Sequence, residues 1–433
     1  MKTKFAITFL IFISALVGRA VANPGDLDTT FGAGGTYSDT APSYPCYGMF
    51  PAASTLQSDG KILVAGKIYN RCSTYGYSDD PVNLRRVLLR RYLADGTPDN
   101  GGGTQGEFGM DGFGVTEAPI SPNVYGEGFD VLVQPDGYIV VAGSKAARGG
   151  TTAAVWRFTP DGELDTTFGN DGVVTFTSSG TYNASRKLVF WNGNIFVAGY
   201  STPNGIANVW VRKLNTDGSL HVWFGSGGKL STGLETQTAN VTIAISSANG
   251  YIFVGGISGT SAVVAKYSSS GTIFTNFGNF GLATLPNCTP GGGYTPTYPI
   301  VPLDLRFQSS GKLLVVSRMS YGGWAETPGM HRLTAAGFVD TSFVDTTQYG
   351  SCNAVVQGSI WVRVASNDFL YSGSRRFIPD GSKDTSFIPA ANTMVSGEVQ
   401  PGDGKIVYLS YDTFLSPGKT YSDSRVKLFR LLP

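Results

Sequence analysis

Phenylalanine recurs seven times in nearly the same local setting, at Phe31, Phe108, Phe168, Phe224, Phe277, Phe343 and Phe387, and this limits the possible folds more than any other feature of the 433 residues. Each follows a turn and a short polar stretch. The clearest copies read Asp26-Leu-Asp-Thr-Thr-Phe-Gly, Asp161-Gly-Glu-Leu-Asp-Thr-Thr-Phe-Gly and Asp380-Gly-Ser-Lys-Asp-Thr-Ser-Phe. Their mean spacing is about 59 residues, and self-similarity at a fixed period of this order signals a repeat architecture.

The residues between the phenylalanines read as strands. One hairpin recurs as Leu56-Gln-Ser-Asp-Gly-Lys-Ile-Leu-Val-Ala-Gly, Val133-Gln-Pro-Asp-Gly-Tyr-Ile-Val-Val-Ala-Gly and Val189-Phe-Trp-Asn-Gly-Asn-Ile-Phe-Val-Ala-Gly. Asp-Gly and Asn-Gly tolerate the positive φ of tight turns, and the β-branched run after them favours a strand. A second hairpin follows, beginning with segments such as Ala154-Val-Trp-Arg-Phe-Thr, turning at Asp161-Gly162 and its equivalents, and ending in the Phe segment and a short strand. Each repeat therefore supplies four short antiparallel strands, and no amphipathic helical period of useful length follows the first residues.

Four-stranded units repeated around an axis make a β-propeller, which leaves only short, protected edges. Seven hairpins predict seven blades. The segment from Gly25 to Tyr37 is the back of a repeat without a front, and Val426-Lys-Leu-Phe-Arg-Leu-Leu is a front without a back. The expected fold is thus all-β: a seven-bladed β-propeller of four-stranded antiparallel blades, closed by pairing of the N- and C-terminal segments.

The DG-x-L-D-x-x-F-G core, recurring with a DG-K-I-L-V-A-G hairpin, resembles the delta-60 repeat family of bacterial exported proteins over roughly residues 24–433. The copies near Phe277, Phe343 and Phe387 drift from this pattern: Thr272-Ile-Phe-Thr-Asn-Phe277 lacks the aspartate, and no glycine follows Phe343 or Phe387. The resemblance implies a propeller and no particular reaction.

The first residues predict export. Lys2 and Lys4 precede an apolar stretch from Phe5 to Val17, and Ala20-Val21-Ala22 is a small-x-small cleavage site, giving a signal peptide over 1–22 and a single domain over 23–433. No later segment is apolar for the ~20 residues a membrane span needs. The formal charge of +1 falls to about −2 once Lys2, Lys4 and Arg19 leave with the leader, so nothing electrostatic favours nucleic acid or an anionic membrane. Cys46, Cys72, Cys288 and Cys352 read as two disulfides in an exported chain. The preferred pairing is Cys46–Cys72, flanking the first hairpin, with Cys288–Cys352 stapling neighbouring repeats. The chain, secreted or periplasmic, is expected to be monomeric, with no cofactor and no metal.

Successive connections between antiparallel strands alternate between the two faces of the ring. The long connections, about 67–83, 116–128, 285–303, 318–329 and 411–424, all fall between hairpins and so share one face. Long loops of this kind usually carry function. They present the ligand-binding candidates Tyr75, Tyr77, Asp79, Tyr125, Glu127, Tyr321, Trp324, Glu326, Tyr411 and Asp412. Tyr and Trp give rigid contact area with a polar tip, which suits a protein or sugar surface.

Catalytic chemistry has less support. His221 and His331 are the sole histidines, and no Ser/His/Asp or Cys/His spacing stands out. Asp161, Asp165 and Asp171 lack EF-hand spacing, and the Asp-Thr-Thr residues read better as local backbone hydrogen-bonders beside a plugging Phe. Arg85, Arg86, Arg90 and Arg91 read mainly as alternate strand positions and, less well, as a basic patch. The favoured reading is a non-enzymatic binding or scaffold propeller for a protein or surface glycan. The alternatives are a carboxylate-based glycan hydrolase or lyase, with Glu127 and Glu326 as its pair, and a periplasmic assembly factor.

Overall fold

The computed structural model describes residues 22–39, 47–70, 85–99, 108, 126–147, 149–177, 180–236, 240–286, 301–321, 325–343, 361–373, 375–388, 395–400, 403–415 and 422–433. Strand β1 (Thr36–Ser38) precedes a first unit of β2 (Tyr47–Leu56), β3 (Ile62–Asn70) and β4 (Arg85–Tyr92). The second unit is β5 (Gly126–Val133), β6 (Ile139–Ala147), β7 (Gly150–Phe158) and β8 (Val173–Phe176). The third is β9 (Asn183–Trp191), β10 (Asn194–Ser201), β11 (Ala207–Asn215) and β12 (Lys229–Thr236); the fourth is β13 (Thr242–Ile245), β14 (Ile252–Ser258), β15 (Ser261–Tyr267) and β16 (Leu282–Thr284). The fifth is β17 (Val301–Phe307), β18 (Leu313–Tyr321) and β19 (Ala325–Leu333), and the sixth is β20 (Arg363–Val364), β21 (Leu370–Ser372) and β22 (Arg375–Phe377). Last come β23 (Ser396–Val399), β24 (Ile406–Leu415) and β25 (Ser422–Leu431), with β1 antiparallel on the far side of β25 through Thr36↔Phe429, Tyr37↔Leu428 and Ser38↔Lys427. All strand pairing within these sheets is antiparallel, and the described residues contain no helix.

Two features depart from the sequence reading, and the four-strand expectation for three further units falls partly on residues outside those described. The third and fourth units are fused into one eight-stranded sheet because the long β12 reaches β14, pairing Glu235 with Ile257. The first, fifth and sixth units show three strands each, and the stretches that follow Phe108, Phe343 and Phe387 lie largely outside the described residues. Much of the expected loops 318–329 and 411–424 is strand. Hairpin β18–β19 stays paired out to Tyr321↔Ala325, and β24–β25 out to Leu415↔Ser422, which satisfies backbone groups that a loop would leave to water.

The Val-Ala-Gly run of the inner hairpin has a specific purpose. The inner strand carries one extra residue opposite the small-residue step of its neighbour in four units: Ala52 against Ala65–Gly66, Phe129 against Ala142–Gly143, Arg186 against Ala198–Gly199, and Leu303 against Val316–Ser317. A β-bulge of this type bends the strand and re-aims side chains. A Cβ on Gly143 would lie 1.9 Å from the Glu127 carbonyl oxygen, so the bulged strand can approach only a residue without a side chain.

The Phe repeat builds the interfaces. All seven phenylalanines are buried. Each sits in a cluster that spans consecutive units: Phe108 with Leu89 and Val141, Phe168 with Val155 and Ile195, Phe224 with Val211 and Val254, Phe277 with Val264 and Leu305, Phe343 with Leu314 and Leu370, and Phe387 with Tyr371 and Tyr408. Phe31 joins the last unit to the first, beside Leu428 and Ile62. The next unit's second turn receives the ring: a Cβ on Gly162 would fall 2.8 Å from Phe108, which explains why Asp-Gly recurs there.

An arginine clasp locks each interface where it is present. Arg91, Arg157, Arg332, Arg376 and Arg430 donate from Nε to Asp99, Asp165, Asp340, Asp384 and Asp28 at 2.6–2.8 Å. Each guanidinium lies 4.3–4.9 Å from the centre of the repeat Phe ring. Four of the five also donate to a turn carbonyl of the following unit: Arg91 to Pro160, Arg157 to Thr216, Arg332 to Pro379 and Arg430 to Ala94. The aspartate in turn accepts the hydroxyl two residues on, from Thr30, Thr167, Ser342 or Ser386. The Asp-Thr-Thr residues are structural, as expected, and also bind the arginine. In the third and fourth units Lys213 and Lys266 replace the arginine, and His221 and Phe274 replace the aspartate, so drift is coordinated at both ends of the pair. Arg90 and Arg91 form no surface patch: both are buried, Arg90 on Asp39 and the Tyr92 hydroxyl, Arg91 on Asp99.

The clasp makes stability depend on pH. Burial works to raise the carboxyls of Asp28, Asp165, Asp340 and Asp384, but the hydroxyl and backbone N–H two residues on and the neighbouring cations hold all four below the ordinary value. A carboxyl with a depressed folded pKa stabilises the fold above its unfolded value of ~3.9 and loses that contribution as pH falls through the folded value. The thermal midpoint, followed by circular dichroism, should therefore hold level from pH 7 to about 5 and decline steadily below about 4. A midpoint unchanged down to pH 3 would contradict this account.

Candidate functional site

Where the inner strands converge they enclose a cavity of about 260 Å3. Its wall takes residues from every unit: Ala52 and Ala53, Phe129 and Asp130, Arg186 and Lys187, Asn240 and Val241, Leu303, Trp361 and Arg363, and Val395 and Ser396. Four of these, Ala52, Phe129, Arg186 and Leu303, are the bulged residues described above. The bulge is therefore what turns side chains toward the axis.

The wall carries the charged residues Asp130, Arg186, Lys187 and Arg363 among mostly apolar ones, and Asp304, next to Leu303, and Glu398 stand behind it on Arg363. Asp304 is buried and held from several sides. Its Oδ1 accepts the Leu305 N–H at 3.0 Å, and its Oδ2 accepts the Val362 N–H at 3.0 Å and Arg363 Nη1 at 3.2 Å. Arg306 stands 3.5 Å away. Burial would raise the Asp304 carboxyl, yet Arg306, Arg363 and Lys187 together hold it below its usual value. Arg363 also donates to Glu398 from Nε at 3.1 Å and Nη2 at 2.7 Å, and these two acids push its pKa up against the effect of burial. Asp130 accepts the Leu188 N–H at 2.8 Å, tying the second unit to the third. Ser54 and Ser396 join the first and last inner strands at 3.2 Å.

Arg186 and Lys187 differ from the others. Among the described residues neither has a carboxylate within ion-pairing distance. Arg186 lies 3.9 Å over the Phe129 ring. Burial lowers its pKa despite Tyr200, Glu127 and Asp130 nearby.

Of the sequence candidates, Tyr75, Tyr77, Asp79, Tyr125 and Trp324 lie outside the described residues, as do Cys46, Cys72, Cys288 and Cys352. Glu127 is in β5, 3.3 Å from Lys67 Nζ. Tyr321 and Glu326 are on the extended β18–β19 hairpin, where Glu326 pairs with Ser320. Tyr411 is exposed on β24, and Asp412 follows it opposite Arg425. Register places these five positions at the end of their sheets beyond the small-residue step, the same end as Lys67. His331 is buried in β19 and His221 sits in its Phe segment.

The sequence reading missed the axial residues Asp130, Arg186, Lys187, Asp304, Arg363 and Glu398. A signal existed. Asp130, Lys187 and Asp304 stand six or seven residues before the turn glycines Gly137, Gly193 and Gly311, and Glu398 stands six before Gly404, whereas the first unit has Ala53 seven before Gly60. Charge recurring at a fixed offset inside a β-branched segment marks an inward polar position.

A family described as a domain of unknown function (DUF5122) beta-propeller matches three stretches of the chain, residues 57–101, 134–168 and 308–343. Each runs from a turn of the inner hairpin to or past the second turn, and two end on Phe168 and Phe343. The three matches, to a model described as a beta-propeller, fall on the recurring hairpin units. No curated protein matches the chain. Among solved structures, a protein of unknown function from Dyadobacter fermentans DSM 18053 is similar at 10% identity over 92% of this chain and 99% of that one, with a TM-score of 0.46. Zg3597, a family 117 glycoside hydrolase of the marine bacterium Zobellia galactanivorans, is similar at 10% identity over 91% and 90%, with a TM-score of 0.37. The beta-1,2-mannobiose phosphorylase of Listeria innocua is similar at 11% identity over 69% and 96%, with a TM-score of 0.33.

Proposed function

We propose that the chain is an exported, non-enzymatic binding propeller: one domain over 23–433, seven blades closed by β1 on β25, recognising a surface glycan or protein through its loop-rich face and the cavity beneath. Closure is supported by the run of Phe clusters from unit to unit and by the Phe31 cluster and Arg430–Ala94 hydrogen bond between last and first. The delta-60 affiliation, the signal peptide and the disulfides Cys46–Cys72 and Cys288–Cys352 belong to the same reading.

One observation favours binding over hydrolysis. A glycosidase needs a carboxylic acid that stays protonated near neutral pH beside a second carboxylate. The buried carboxylate beside the cavity wall, Asp304, is instead held ionised by Arg306, Arg363 and Lys187, and Glu398 is engaged by Arg363. Such pairs fix a rigid polar wall rather than a proton donor.

The test is a screen of purified chain lacking residues 1–22 against arrayed glycans and bacterial surface proteins. Trp324→Ala and Tyr321→Ala should each weaken whatever binds by about tenfold or more, the usual consequence of truncating an aromatic anchor. A ligand that ignores both changes would remove the loop-rich face from the reading. Cleavage of a bound glycan would replace it with the hydrolase or lyase alternative.

A further inference from the structure

The described interior offers three unusual sites: the Asp39–Arg90–Tyr92 cluster, the buried His331, and the cation pair Arg186–Lys187 in the axial cavity. The first is closed on itself, since Arg90 and Tyr92 both bond Asp39. His331 is enclosed in β19 with no route to solvent. The third opens into a cavity, and among the described residues neither cation has a carboxylate in direct contact, although Asp130 and Glu127 act on Arg186 and Lys187 acts on Asp304 at longer range.

We infer that Arg186 and Lys187 form the anchoring point for the acidic group of a sugar, a carboxylate or sulfate, bound in the axial cavity. Three observations carry this. First, the acids around the cavity have closer cations than these two: Asp304 lies on Arg306 and Arg363, with Lys187 acting only at longer range, Glu398 lies on Arg363, and Glu127 on Lys67. Asp130 accepts a backbone N–H from Leu188, and no described carboxylate comes within ion-pairing distance of either cation. Both cations are half-buried, and a half-buried cation without a carboxylate in direct contact gains from an incoming anion. Second, Arg186 is the inserted residue of its bulge and stacks 3.9 Å over Phe129. Stacking fixes the guanidinium plane and leaves its donor edge available, and that fork matches the two oxygens of a carboxylate or sulfate. Third, the cavity of about 260 Å3 lies just under the ~300–1,000 Å3 of ordinary ligand sites, so it admits one monosaccharide-sized group rather than a length of peptide. Phe129 and Trp361 offer apolar faces, and Asn240 and Ser396 offer hydrogen bonds, as a sugar ring requires. The lowered pKa of Arg186 is consistent with burial exceeding the help of its acidic neighbours.

This inference deepens the binding reading, and its test separates the two. Glucuronate, glucose, inorganic sulfate and an acidic dipeptide are titrated calorimetrically into the chain lacking residues 1–22, and into Arg186→Gln and Lys187→Gln. Thermal melts establish that each variant folds. Glucuronate should bind, glucose should not, and raised salt should weaken the complex. Each variant should lose about tenfold or more, as expected for a hydrogen bond to a charged group. Glucuronate binding no better than glucose would overturn the inference, as would variants that bind like the parent chain or a dipeptide that binds as well as glucuronate. A neutral glycan or a protein that binds and responds to Trp324→Ala but not to Arg186→Gln would also overturn it, while leaving the broader binding reading intact.

Discussion

Phe168→Ala should destabilise the folded chain by about 3–5 kcal/mol, the range for deleting a fully buried aromatic side chain. The ring is inaccessible to solvent and packs among Val155, Ile195 and Trp210 from two successive units. The Arg157 guanidinium lies 4.8 Å from its centre, and Gly218 of the next unit's turn abuts its edge. That turn is fixed by its own hydrogen bonds, so the hole cannot collapse easily, which places the cost toward the upper end. Phe168→Leu keeps much of the apolar volume and should lose less. Trp223→Ala is the matched control: Trp223 stands one residue before another repeat Phe, is 86% exposed, and should shift stability by no more than about 0.5 kcal/mol. Urea denaturation measures all three. A Phe168→Ala loss below about 1 kcal/mol would mean that the repeat Phe is not what joins the units.

Much of this architecture was readable because it depends on period and turn chemistry. Asp-Gly turns, β-branched runs and a regularly returning Phe are local signals repeated seven times, and repetition makes a weak signal reliable. The pairing of Gly25–Tyr37 with Val426–Leu432 could be foreseen because each end was visibly half a repeat. What stayed hidden depends on partners distant in sequence. Arg157 reads as a strand residue beside Trp156, and nothing local shows that it bonds Asp165, covers Phe168 and reaches the Thr216 carbonyl. The bulge at Arg186 is equally hidden, since one added residue is visible only against the register of Ala198 and Gly199. The axial charges were overlooked for the same reason. Their roles arise only when several inner strands meet, whereas long loops are conspicuous by length alone, and two of them proved to be largely hairpin.

The pair most diagnostic of the proposed closed ring is Asp28–Arg430, because its members are 402 residues apart in sequence yet reproduce the geometry of pairs only eight residues apart. Asp28→Ala should cost about 3–5 kcal/mol, the penalty for stranding a buried charge. Asp28 takes both Arg430 Nε and Nη2 at 2.8 Å and Lys405 Nζ at 3.0 Å, so its removal leaves two cations facing each other beneath the Phe31 ring. Asp165→Ala breaks the same clasp inside one continuous unit and provides the comparison. If the terminal segment is bound as firmly as any other strand, the two losses should agree within about 1 kcal/mol, and unfolding should remain a single transition. If the terminal segment is only loosely attached, Asp28→Ala should be nearly silent while Asp165→Ala is not. Replacing both partners, as Asp28→Ala with Arg430→Met, should recover part of the loss, because the buried guanidinium is gone and Lys405 keeps Asp403 at 3.5 Å. A silent Asp28→Ala would mean that β1 docks on β25 without fastening the ends of the chain, and the closed ring would have to be abandoned.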